Sequence, residues 1–371
     1  VMILVENLLA ELKKNKINYF AGVPDSVLKH FTNYLEKNRK FKNLTLVNEG
    51  SAVAAAIGYY LATQKIPCVY MQNSGLGNSI NPLISIAHNK VYQIPILLMI
   101  GWRGAPKLKD EPQHLAKGQI TKQILKLCGI KFCVLNTKKD LSKLKKLINF
   151  SKKNKRIIAC LIKNNTLQTN KRLNKIQPKL KQKDITRAFF VENFLKLVTK
   201  KTKIISSTGY LSRELYSKIQ KLKLNINPFY MVGGMGHTSI VSLGYALESK
   251  KQIICLDGDG SFLMHMGSAV SIAKYSKNNF KYILLNNKSH ESVGGQSTNI
   301  EKMNLELFSK SIGYNKYFYL DQESMTLKTI KAFLKSRGPS FLEVKIKIDK
   351  SKNKLPRPKD LLKVKKQFLK K

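Results

Sequence analysis

The stretch Leu256-Asp257-Gly258-Asp259-Gly260-Ser261 closes one apolar run of the chain, and 24 residues later Asn286-Asn287 closes the next. Apolar runs of this length between turn residues are typical of buried strands in parallel sheets, so each polar cluster is expected at a strand end. Glycines let the backbone approach an anion closely. Asp259, the amide oxygen of Asn287 and the backbone carbonyl of Ser289 would give a hard cation three ligands, and Mg²⁺ would keep its other positions for phosphate oxygens and water. Gly-Asp-Gly alone is typical of an ordinary turn. The second polar cluster, Asn286-Asn287, is what favours a cation- and phosphate-binding site.

Outward from this stretch, helix-like and strand-like segments alternate along the chain, which predicts an α/β fold of mostly parallel sheets with helices on both faces. In the first half we expect helices at 2–15, 25–37 and 49–63, and strands at 66–72, 94–100, 131–135 and 156–162. In the second half we expect helices at 184–198, 238–247 and 265–275, and strands at 203–207, 252–256, 282–285 and 340–346.

The polar, Lys-rich segment 166–183 interrupts this alternation and reads as a linker, so we expect one domain at 1–165 and another at 184–371. The chain has 371 residues, enough for two domains of ordinary size, each with its own core. The tail from Lys347 is rich in lysine and proline and is expected to lie on the surface.

The formal net charge is +45, which by itself would suggest nucleic acid or an anionic surface as a partner. Only eight of the 67 basic residues are arginine, however, and the lysines are scattered over helical faces and linkers. Planar recognition of phosphates and bases usually favours arginine. We therefore interpret the charge mainly as a solvated surface, with a nucleic-acid-binding protein on a degenerate enzyme fold as the distant alternative.

Cysteine usage and hydropathy point to a soluble chain in a reducing cytoplasm. The five cysteines are odd in number, form no CxxC pair, and most lie in apolar runs, which is typical of buried free thiols. The longest strongly apolar stretch, 94–102, is too short to span a bilayer. The N-terminal residues lack the basic start and cleavage site of a signal peptide, and no membrane partner is expected.

The Gly258-Asp259-Gly260-Ser261 and Asn286-Asn287 clusters together resemble the diphosphate-binding motif of thiamine diphosphate enzymes. The resemblance implies that the first cluster and Asn287 bind the diphosphate, with Mg²⁺ held by Asp259, Asn287 and Ser289. It also implies two thiamine-binding domains. The one at 1–165 would bind the pyrimidine of the cofactor and the one at 184–371 its diphosphate.

Glu49 stands at a predicted helix start and is followed by the small residues of Gly50-Ser51-Ala52-Val53-Ala54. Its ordinary interpretation is a carboxylate favoured by the helix dipole. The resemblance implies a sharper one, because thiamine diphosphate enzymes use a glutamate to hydrogen-bond the aminopyrimidine of the cofactor and so promote loss of the thiazolium C2 proton. In the second half, Gly233-Gly234-Met235 resembles the segment that bends the cofactor. It implies Met235 between the two cofactor rings and the Gly233 carbonyl near the amino group, whereas a Met beside glycines is otherwise a core filler.

Several further segments resemble one branch of this family, the phosphonopyruvate decarboxylases, over about residues 5–345. They are Gly22-Val23-Pro24-Asp25-Ser26, Tyr70-Met71-Gln72-Asn73-Ser74-Gly75, Gly101-Trp102-Arg103-Gly104, Asp110-Glu111-Pro112-Gln113-His114, Met235-Gly236-His237, Met264-His265-Met266-Gly267 and His290-Glu291-Ser292-Val293-Gly294-Gly295-Gln296. The resemblance implies decarboxylation of a small 2-oxo acid, phosphonopyruvate, to phosphonoacetaldehyde in phosphonate biosynthesis. It also implies a homo-oligomer, at least a dimer, with active sites at subunit interfaces. Sulfopyruvate decarboxylase is the nearest alternative.

Four polar residues are candidates for contact with the reacting carbon by this resemblance: Asp25, His114, His290 and Glu291. A histidine with a pKa near neutrality is a plausible acid. Asp25 after Pro24 would otherwise cap the helix that follows it, and His114 would start one. Pyruvate-type decarboxylases carry a glutamate six residues after the second asparagine, where this chain has Val293. The proton donor of that group therefore does not transfer to this chain.

Overall fold

The structure is a computed structural model that describes residues 2–170, 184–348 and 355–370. The chain divides into two compact units, Val1–Lys175 with Ser292–Gln296, and Ile176–Glu291 with Ser297–Lys371. The expected linker at 166–183 lies mostly outside the described residues. The α/β class with two parallel-sheet domains is confirmed.

The described part of the first unit is built on a six-stranded parallel sheet and a short parallel strand pair. The pair is β1 (Ile3–Leu4) with β8 (Leu167–Gln168), and the sheet holds β2 (Tyr19–Gly22), β3 (Lys42–Thr45), β4 (Cys68–Gln72), β5 (Leu97–Gly101), β6 (Lys131–Leu135) and β7 (Ile158–Ile162). The helices are α1 (Val5–Lys14), α2 (Lys29–Lys37), α3 (Glu49–Thr63), α4 (Leu76–Pro82), α5 (Pro112–Leu127) and α6 (Leu141–Asn154). A turn of 3₁₀ helix, Asn73–Gly75, precedes α4, and a π-helical turn, Leu83–Ala87, follows it.

The described part of the second unit is also built on a six-stranded parallel sheet. Its strands are β9 (Lys203–Ser206), β10 (Phe229–Tyr230), β11 (Ile253–Gly258), β12 (Phe280–Asn286), β13 (Lys316–Leu320) and β14 (Ser340–Lys345). Its helices are α7 (Arg187–Leu197), α8 (Tyr210–Lys221), α9 (Thr238–Glu248), α10 (Asp259–Met264), α11 (Ser268–Tyr275), α12 (Leu305–Ser311), α13 (Thr326–Lys335) and α14 (Leu361–Leu369).

The two sheets share one strand order. The first reads β3-β2-β4-β5-β7-β6 and the second β10-β9-β11-β12-β14-β13, so corresponding strands occupy corresponding places. In each unit, successive residues of a central strand enter two separate apolar clusters. Tyr70 and Met71 face opposite sides of the first sheet, as Ile283 and Leu284 do in the second. Both faces of each sheet are therefore buried, as expected for parallel strands covered by helices.

Some element boundaries differ from expectation. The first helix begins at Val5 rather than at residue 2, because Ile3 and Leu4 pair with β8. The second begins at Lys29 rather than at 25, because Asp25 Oδ2 accepts hydrogen bonds from the amides of Val27 at 2.9 Å and Leu28 at 3.1 Å in a turn. The helix expected at 265–275 begins at Ser268 and is preceded by α10.

The described part of the tail lies mostly on the surface as expected, but it forms a helix, α14, whose Phe368 is buried. The Phe368 ring lies 5.7 Å from that of Phe229 and 5.3 Å from that of Tyr245. The ammonium group of Lys203 donates to the carbonyls of Phe368 and Lys370 at the end of this helix. The sequence did not predict this anchoring, because the partners of Phe368 are distant along the chain. Among the helices of the described ranges, none has the length and apolar content to cross a membrane.

Candidate active site

The two polar clusters of the second unit stand at the same edge of its sheet. Strands β11 and β12 are parallel neighbours, with Gly258 paired in register to Leu285. Asp259 begins α10 directly after β11, and Asn287 follows the last residue of β12. The carboxyl ends of neighbouring parallel strands meet at one sheet edge, where α/β proteins bind ligands.

Asp259 is a buried carboxylate with few donors of its own. Its side chain is 4 % exposed, and it accepts hydrogen bonds from the Gly260 amide and the Thr298 hydroxyl, both at 2.9 Å. Burial raises its pKa to about 6, although these two donors and the backbone amides of Lys288 and Ser289 oppose the rise. A bound cation would offset the cost of burying this charge.

Asn287 and Ser289 present oxygen atoms beside this carboxylate. Asn287 Nδ2 donates to Glu291 Oε2 at 2.9 Å, and Asn287 Oδ1 accepts from the Ser289 amide at 3.0 Å. The Ser289 carbonyl, the ligand atom expected from the sequence, accepts from the Glu291 amide at 2.8 Å, whereas the Ser289 hydroxyl is buried without a hydrogen-bond partner among the described residues. A buried carboxylate, an amide oxygen and an orphaned hydroxyl form an all-oxygen donor set, so these residues fit a Mg²⁺ ion.

The glycines at this edge make room for close approach. A Cβ at Gly260 would lie 3.1 Å from the His290 ring, and one at Gly236 would collide with the His265 ring. The Gly236 amide donates to Ser261 Oγ at 3.1 Å, which joins the loop after β10 to α10. Gly233 and Met235 precede Gly236 in that loop, so the loop that contains them is tied to the first turn after β11.

The first unit gathers its own candidates around the turn after β4. Gln72 Nε2 donates to Asp25 Oδ1 at 2.8 Å, and Asn73 Nδ2 donates to the Arg103 carbonyl at 2.9 Å. A Cβ at Gly75 would lie 2.5 Å from Glu49 Oε1, so the turn packs directly against that carboxyl group. One turn thus brings Asp25, Glu49 and Arg103 together.

Glu49 is the first residue of α3 and is 5 % exposed. Asn48 caps the helix, its side chain accepting from the Gly50 amide at 2.7 Å, so Glu49 is not needed for capping. Asn78 Nδ2 donates to Glu49 Oε2 at 2.7 Å. A buried carboxyl group held by one amide and freed from the capping role is suited to bind a polar group of a cofactor.

Asp25 is 1 % exposed, and burial raises the pKa of its carboxyl group. The hydrogen bonds from the amides of Val27 and Leu28 show that it shapes the turn before α2, but the N-cap position is Leu28, so Asp25 does not cap the helix itself. His114 lies in the first turn of α5, whose start is held by Arg103 through Asp110. Arg103 is thereby committed to an ion pair and is not a free anchor for a substrate anion.

His290 and Glu291 differ in environment. His290 is 8 % exposed, and burial lowers its pKa to about 4, so the ring is neutral at pH 7. It can donate a hydrogen bond but does not act as an imidazolium. Glu291 Oε2 accepts from Arg187 Nη1 at 2.7 Å as well as from Asn287.

Three residues in contact with these candidates were absent from the sequence prediction: Asn78, Arg187 and Thr298. Thr298 and Asn78 carry no distinguishing signal, because isolated polar residues of their type are common in loops and helices. Arg187 carries one. In a chain with eight arginines among 67 basic residues, an arginine marks a position where a planar, multiply donating group is needed.

Comparisons with known proteins agree with this geometry. Residues 2–127 match the family described as thiamine pyrophosphate enzyme, N-terminal TPP binding domain, and residues 208–344 match its C-terminal TPP binding domain. The chain is 32 % identical to a phosphonopyruvate decarboxylase of Streptomyces viridochromogenes, over 93 % of this chain and 89 % of that protein. It is 30 % identical to one of Streptomyces hygroscopicus, over 93 % and 88 % of the two chains. It is 28 % identical to a sulfopyruvate decarboxylase of Methanosarcina acetivorans, over 92 % and 91 %.

The class defined by the fold, the site and both matched domains is that of the thiamine pyrophosphate enzymes. Within it, the chain belongs to the decarboxylases of the phosphonopyruvate and sulfopyruvate type, which makes it a carboxy-lyase. The family resemblance seen in the sequence is confirmed.

Proposed function

We propose that this enzyme decarboxylates 3-phosphonopyruvate to phosphonoacetaldehyde and CO₂, using thiamine diphosphate and Mg²⁺, in the cytoplasm as a step of phosphonate (2-aminoethylphosphonate) biosynthesis. The observation that carries the proposal is the likeness, across both domains, to two phosphonopyruvate decarboxylases at 32 % and 30 % identity. The donor set at Asp259, Asn287 and Ser289 supports the metal.

Thiamine diphosphate, when bound, supplies the electron sink that makes loss of CO₂ from a 2-oxo acid feasible. In the proposed site the domain at 184–371 holds its diphosphate through Gly258, Asp259, Gly260, Ser261 and Asn287. The Gly233 carbonyl and the Met235 side chain orient its rings. The domain at 1–165, joined by residues 166–183, presents Glu49 to the aminopyrimidine.

Glu49 suits this task because Asn78 occupies only one carboxyl oxygen, Oε2, from a side-chain donor. Its burial keeps water from competing for the hydrogen bond. Asp25, held by Gln72 and two backbone amides, is proposed to line the place of the reacting carbon. Burial raises the pKa of this carboxyl group, which favours its protonated form relative to that of a solvated aspartate.

His114, at the start of α5, is proposed to contact the substrate, and neutral His290 to donate a hydrogen bond to an anionic oxygen. Each chain carries one copy of each essential group, Glu49 in its first domain and Asp259 in its second. Enzymes of the thiamine diphosphate family combine these two groups from different chains in one active site. The active form is therefore proposed to be a homo-oligomer, at least a dimer.

Sulfopyruvate is the second candidate substrate, favoured by the 28 % identity to the Methanosarcina acetivorans enzyme over 92 % of this chain. The two substrates differ in the charge of the terminal anion, since a phosphonate carries up to two negative charges and a sulfonate one.

The test is CO₂ release by purified enzyme from each 2-oxo acid, with and without thiamine diphosphate and Mg²⁺. Release from phosphonopyruvate with a higher kcat/KM than from sulfopyruvate, and dependent on both additions, is expected. A higher kcat/KM for sulfopyruvate would make sulfopyruvate the assigned substrate and would not affect the cofactor assignment. Activity without either addition would overturn the cofactor assignment itself.

A further inference from the structure

The amide of Asn287 has a fixed orientation, and Glu291 fixes it. A carboxylate oxygen only accepts hydrogen bonds, so Glu291 Oε2, at 2.9 Å, requires the nitrogen of the amide and not its oxygen on that side. The amide oxygen is therefore turned away from Glu291. It accepts from the Ser289 amide at 3.0 Å.

The amide oxygen of Asn287 is turned towards Asp259. Thr298 joins the Asp259 carboxyl group to the backbone just beyond Asn287, because its hydroxyl donates to Asp259 Oδ2 at 2.9 Å and its amide donates to the Lys288 carbonyl at 3.2 Å. The Asn287 oxygen, bound to the Ser289 amide, and the Asp259 carboxylate therefore lie beside the same stretch of backbone, residues 288–289. An amide rotated by half a turn would present an NH₂ group there, which repels a cation.

Glu291 is itself held in place by Arg187, the first residue of α7. Arg187 Nη1 lies 2.7 Å from Glu291 Oε2, and the two side chains are only 10 % and 13 % exposed. The guanidinium group also lies 5.3 Å from the Tyr210 ring and has Glu214 Oε2 at 3.8 Å from its Nε. With contacts on three sides, Arg187 gives Glu291 little freedom to move.

We propose that Glu291 and Arg187 are positioning residues, which lock the Asn287 amide so that its oxygen is available to a divalent cation. The inference rests on the proposed function, since it takes the cation at Asp259 and Asn287 as given. Oε2 of Glu291, which accepts from both Arg187 and Asn287, is thereby engaged in positioning the amide. Partners that orient metal ligands in this way typically change metal affinity 10–100-fold when removed.

The test measures cation binding rather than turnover. Free Mn²⁺, a spectroscopic substitute for Mg²⁺, is quantified by EPR during titration of the enzyme in saturating thiamine diphosphate. Glu291→Gln is expected to weaken Mn²⁺ binding roughly 10–100-fold. Arg187→Met is expected to act in the same direction, so the test does not depend on the folding of one variant.

The matched control is Glu192→Gln. Glu192 lies on α7 with Arg187 and forms an ion pair of the same length, 2.7 Å, with Lys218, but it does not contact Asn287. Its variant is expected to bind Mn²⁺ as the wild type does. Equal losses in the control and in Glu291→Gln would indicate a general structural effect and overturn the proposal.

A rescue separates orientation from stability. In Asn287→Asp the two carboxylate oxygens are equivalent, so no orientation is needed. Combined with Glu291→Gln, it also keeps the number of carboxylates unchanged. The double variant is expected to recover most of the Mn²⁺ affinity lost in Glu291→Gln.

Wild-type affinity in Glu291→Gln, or a folded double variant without recovery, would refute the positioning role while leaving the cation site intact. A wild-type enzyme that binds no Mn²⁺ with thiamine diphosphate would overturn the cation site of the proposed function, and this inference with it. The two failures are therefore told apart by the wild-type titration.

Discussion

The third strand in the order of each sheet is followed directly by a residue that is equally buried in the two units but chemically different. Asn73 after β4 and Asp259 after β11 occupy the same place in the shared strand order, and each is 4 % exposed. Asn73 donates to the Arg103 carbonyl and to Thr121 Oγ1, both at 2.9 Å, and accepts from the Arg103 amide at 3.2 Å. Its polar atoms are satisfied within the first unit.

Asp259 instead carries a carboxylate whose pKa burial raises to about 6. A neutral amide with matched partners stabilises its loop, whereas a buried carboxylate with only a hydroxyl and backbone amides around it costs stability. The difference shows that topology alone does not locate function. At corresponding strand ends, the electrostatic mismatch of Asp259 is what supports the proposed ligand site, while Asn73 serves as a structural joint.

The largest expected effect is a contrast between these two positions. Asp259→Ala is expected to weaken thiamine diphosphate retention in Mg²⁺ by about 10³-fold, because the charged metal ligand is worth several kcal/mol. The melting temperature of its apoprotein should not fall. Asn73→Ala is expected to retain the cofactor but to lose about 2 kcal/mol of unfolding free energy through unsatisfied buried partners. The amount of cofactor that stays bound through gel filtration measures the effect of Asp259→Ala. Urea unfolding measures the loss of stability in Asn73→Ala. Loss of the cofactor in Asn73→Ala, or loss of stability without loss of the cofactor in Asp259→Ala, would contradict the contrast between the two positions.

Glu49→Gln tests the carboxyl group of the first unit. The variant is expected to bind thiamine diphosphate but to slow exchange of its C2 proton by roughly 10²–10⁴-fold, the usual range for a positioned proton-transfer group. Acid quenching followed by NMR measures the exchange rate. An unchanged rate would leave Glu49 as a helix-terminal carboxylate without a catalytic task.

Asn78→Ala addresses the donor that orients Glu49. Loss of the 2.7 Å hydrogen bond to Oε2 is expected to slow the same C2 proton exchange about 10-fold, since a hydrogen bond to a charged group contributes about 1.5 kcal/mol. Gln72→Ala, which removes the partner of Asp25 instead, serves as the control and should leave the exchange rate near the wild-type value. A rate in Asn78→Ala equal to that of the wild type would show that packing against Gly75 suffices.

Mixing two inactive variants tests whether one active site combines Glu49 of one chain with Asp259 of another. In a dimer with shared sites, free exchange of Glu49→Gln and Asp259→Ala chains is expected to restore about a quarter of the wild-type activity, because half of the dimers then hold one intact site of two. Differently tagged chains report the exchange. Confirmed exchange without recovered activity would contradict shared sites.

The smallest expected effect concerns β5 and β12, the fourth strand in the order of each sheet. Leu98 and Lys281 are the second residues of β5 and β12, and both are fully buried. Burial, aided by Lys316, lowers the pKa of Lys281 to about 8 from the model-compound value of 10.5. Between these values the unfolded chain binds more protons than the folded one, so the unfolding free energy rises with pH.

Relative to Lys281→Met, the wild-type apoprotein is therefore expected to gain about 1 kcal/mol of stability from pH 7 to pH 9. Urea unfolding of both proteins at the two pH values provides the measurement, and Leu98→Met is the control at the corresponding strand position. Parallel pH profiles of the wild type and Lys281→Met would show that the ammonium group is solvated.

Much of the fold was accessible from sequence because its central strands are apolar runs that end at glycine, aspartate or asparagine. The peripheral strands β3 and β13 were not found, since their partly exposed residues such as Lys42 and Lys316 interrupt the apolar pattern. The strand β2 was also missed, because it follows the polar Asn18 and ends in the small residues Ala21 and Gly22, which weaken its apolar signal.

The candidate residues themselves were found by motif, but their partners were not. Asn78 contacts Glu49 across 29 positions of the chain, and Arg187 contacts Glu291 across 104. Pairing at such separations follows from the three-dimensional arrangement of strands and helices, which single-residue chemistry does not encode. The positioning role that we propose for Glu291 rests on such a pairing, because its contacts with Arg187 and Asn287 are visible only in the structure.

The contact between Lys203 and the end of α14 has a consequence for synthesis on the ribosome. Strand β9 emerges early in the second unit, yet the acceptors of its Lys203 ammonium group, Phe368 and Lys370, emerge 165 and 167 residues later. In the first unit the last strand of the large sheet is complete at Ile162. Since domains tend to fold as they are made, the first sheet can form while the second half is still being translated. The apolar place beside Phe229 and Tyr245 that Phe368 fills stays open until α14 has left the exit tunnel, a window in which a chaperone could engage it.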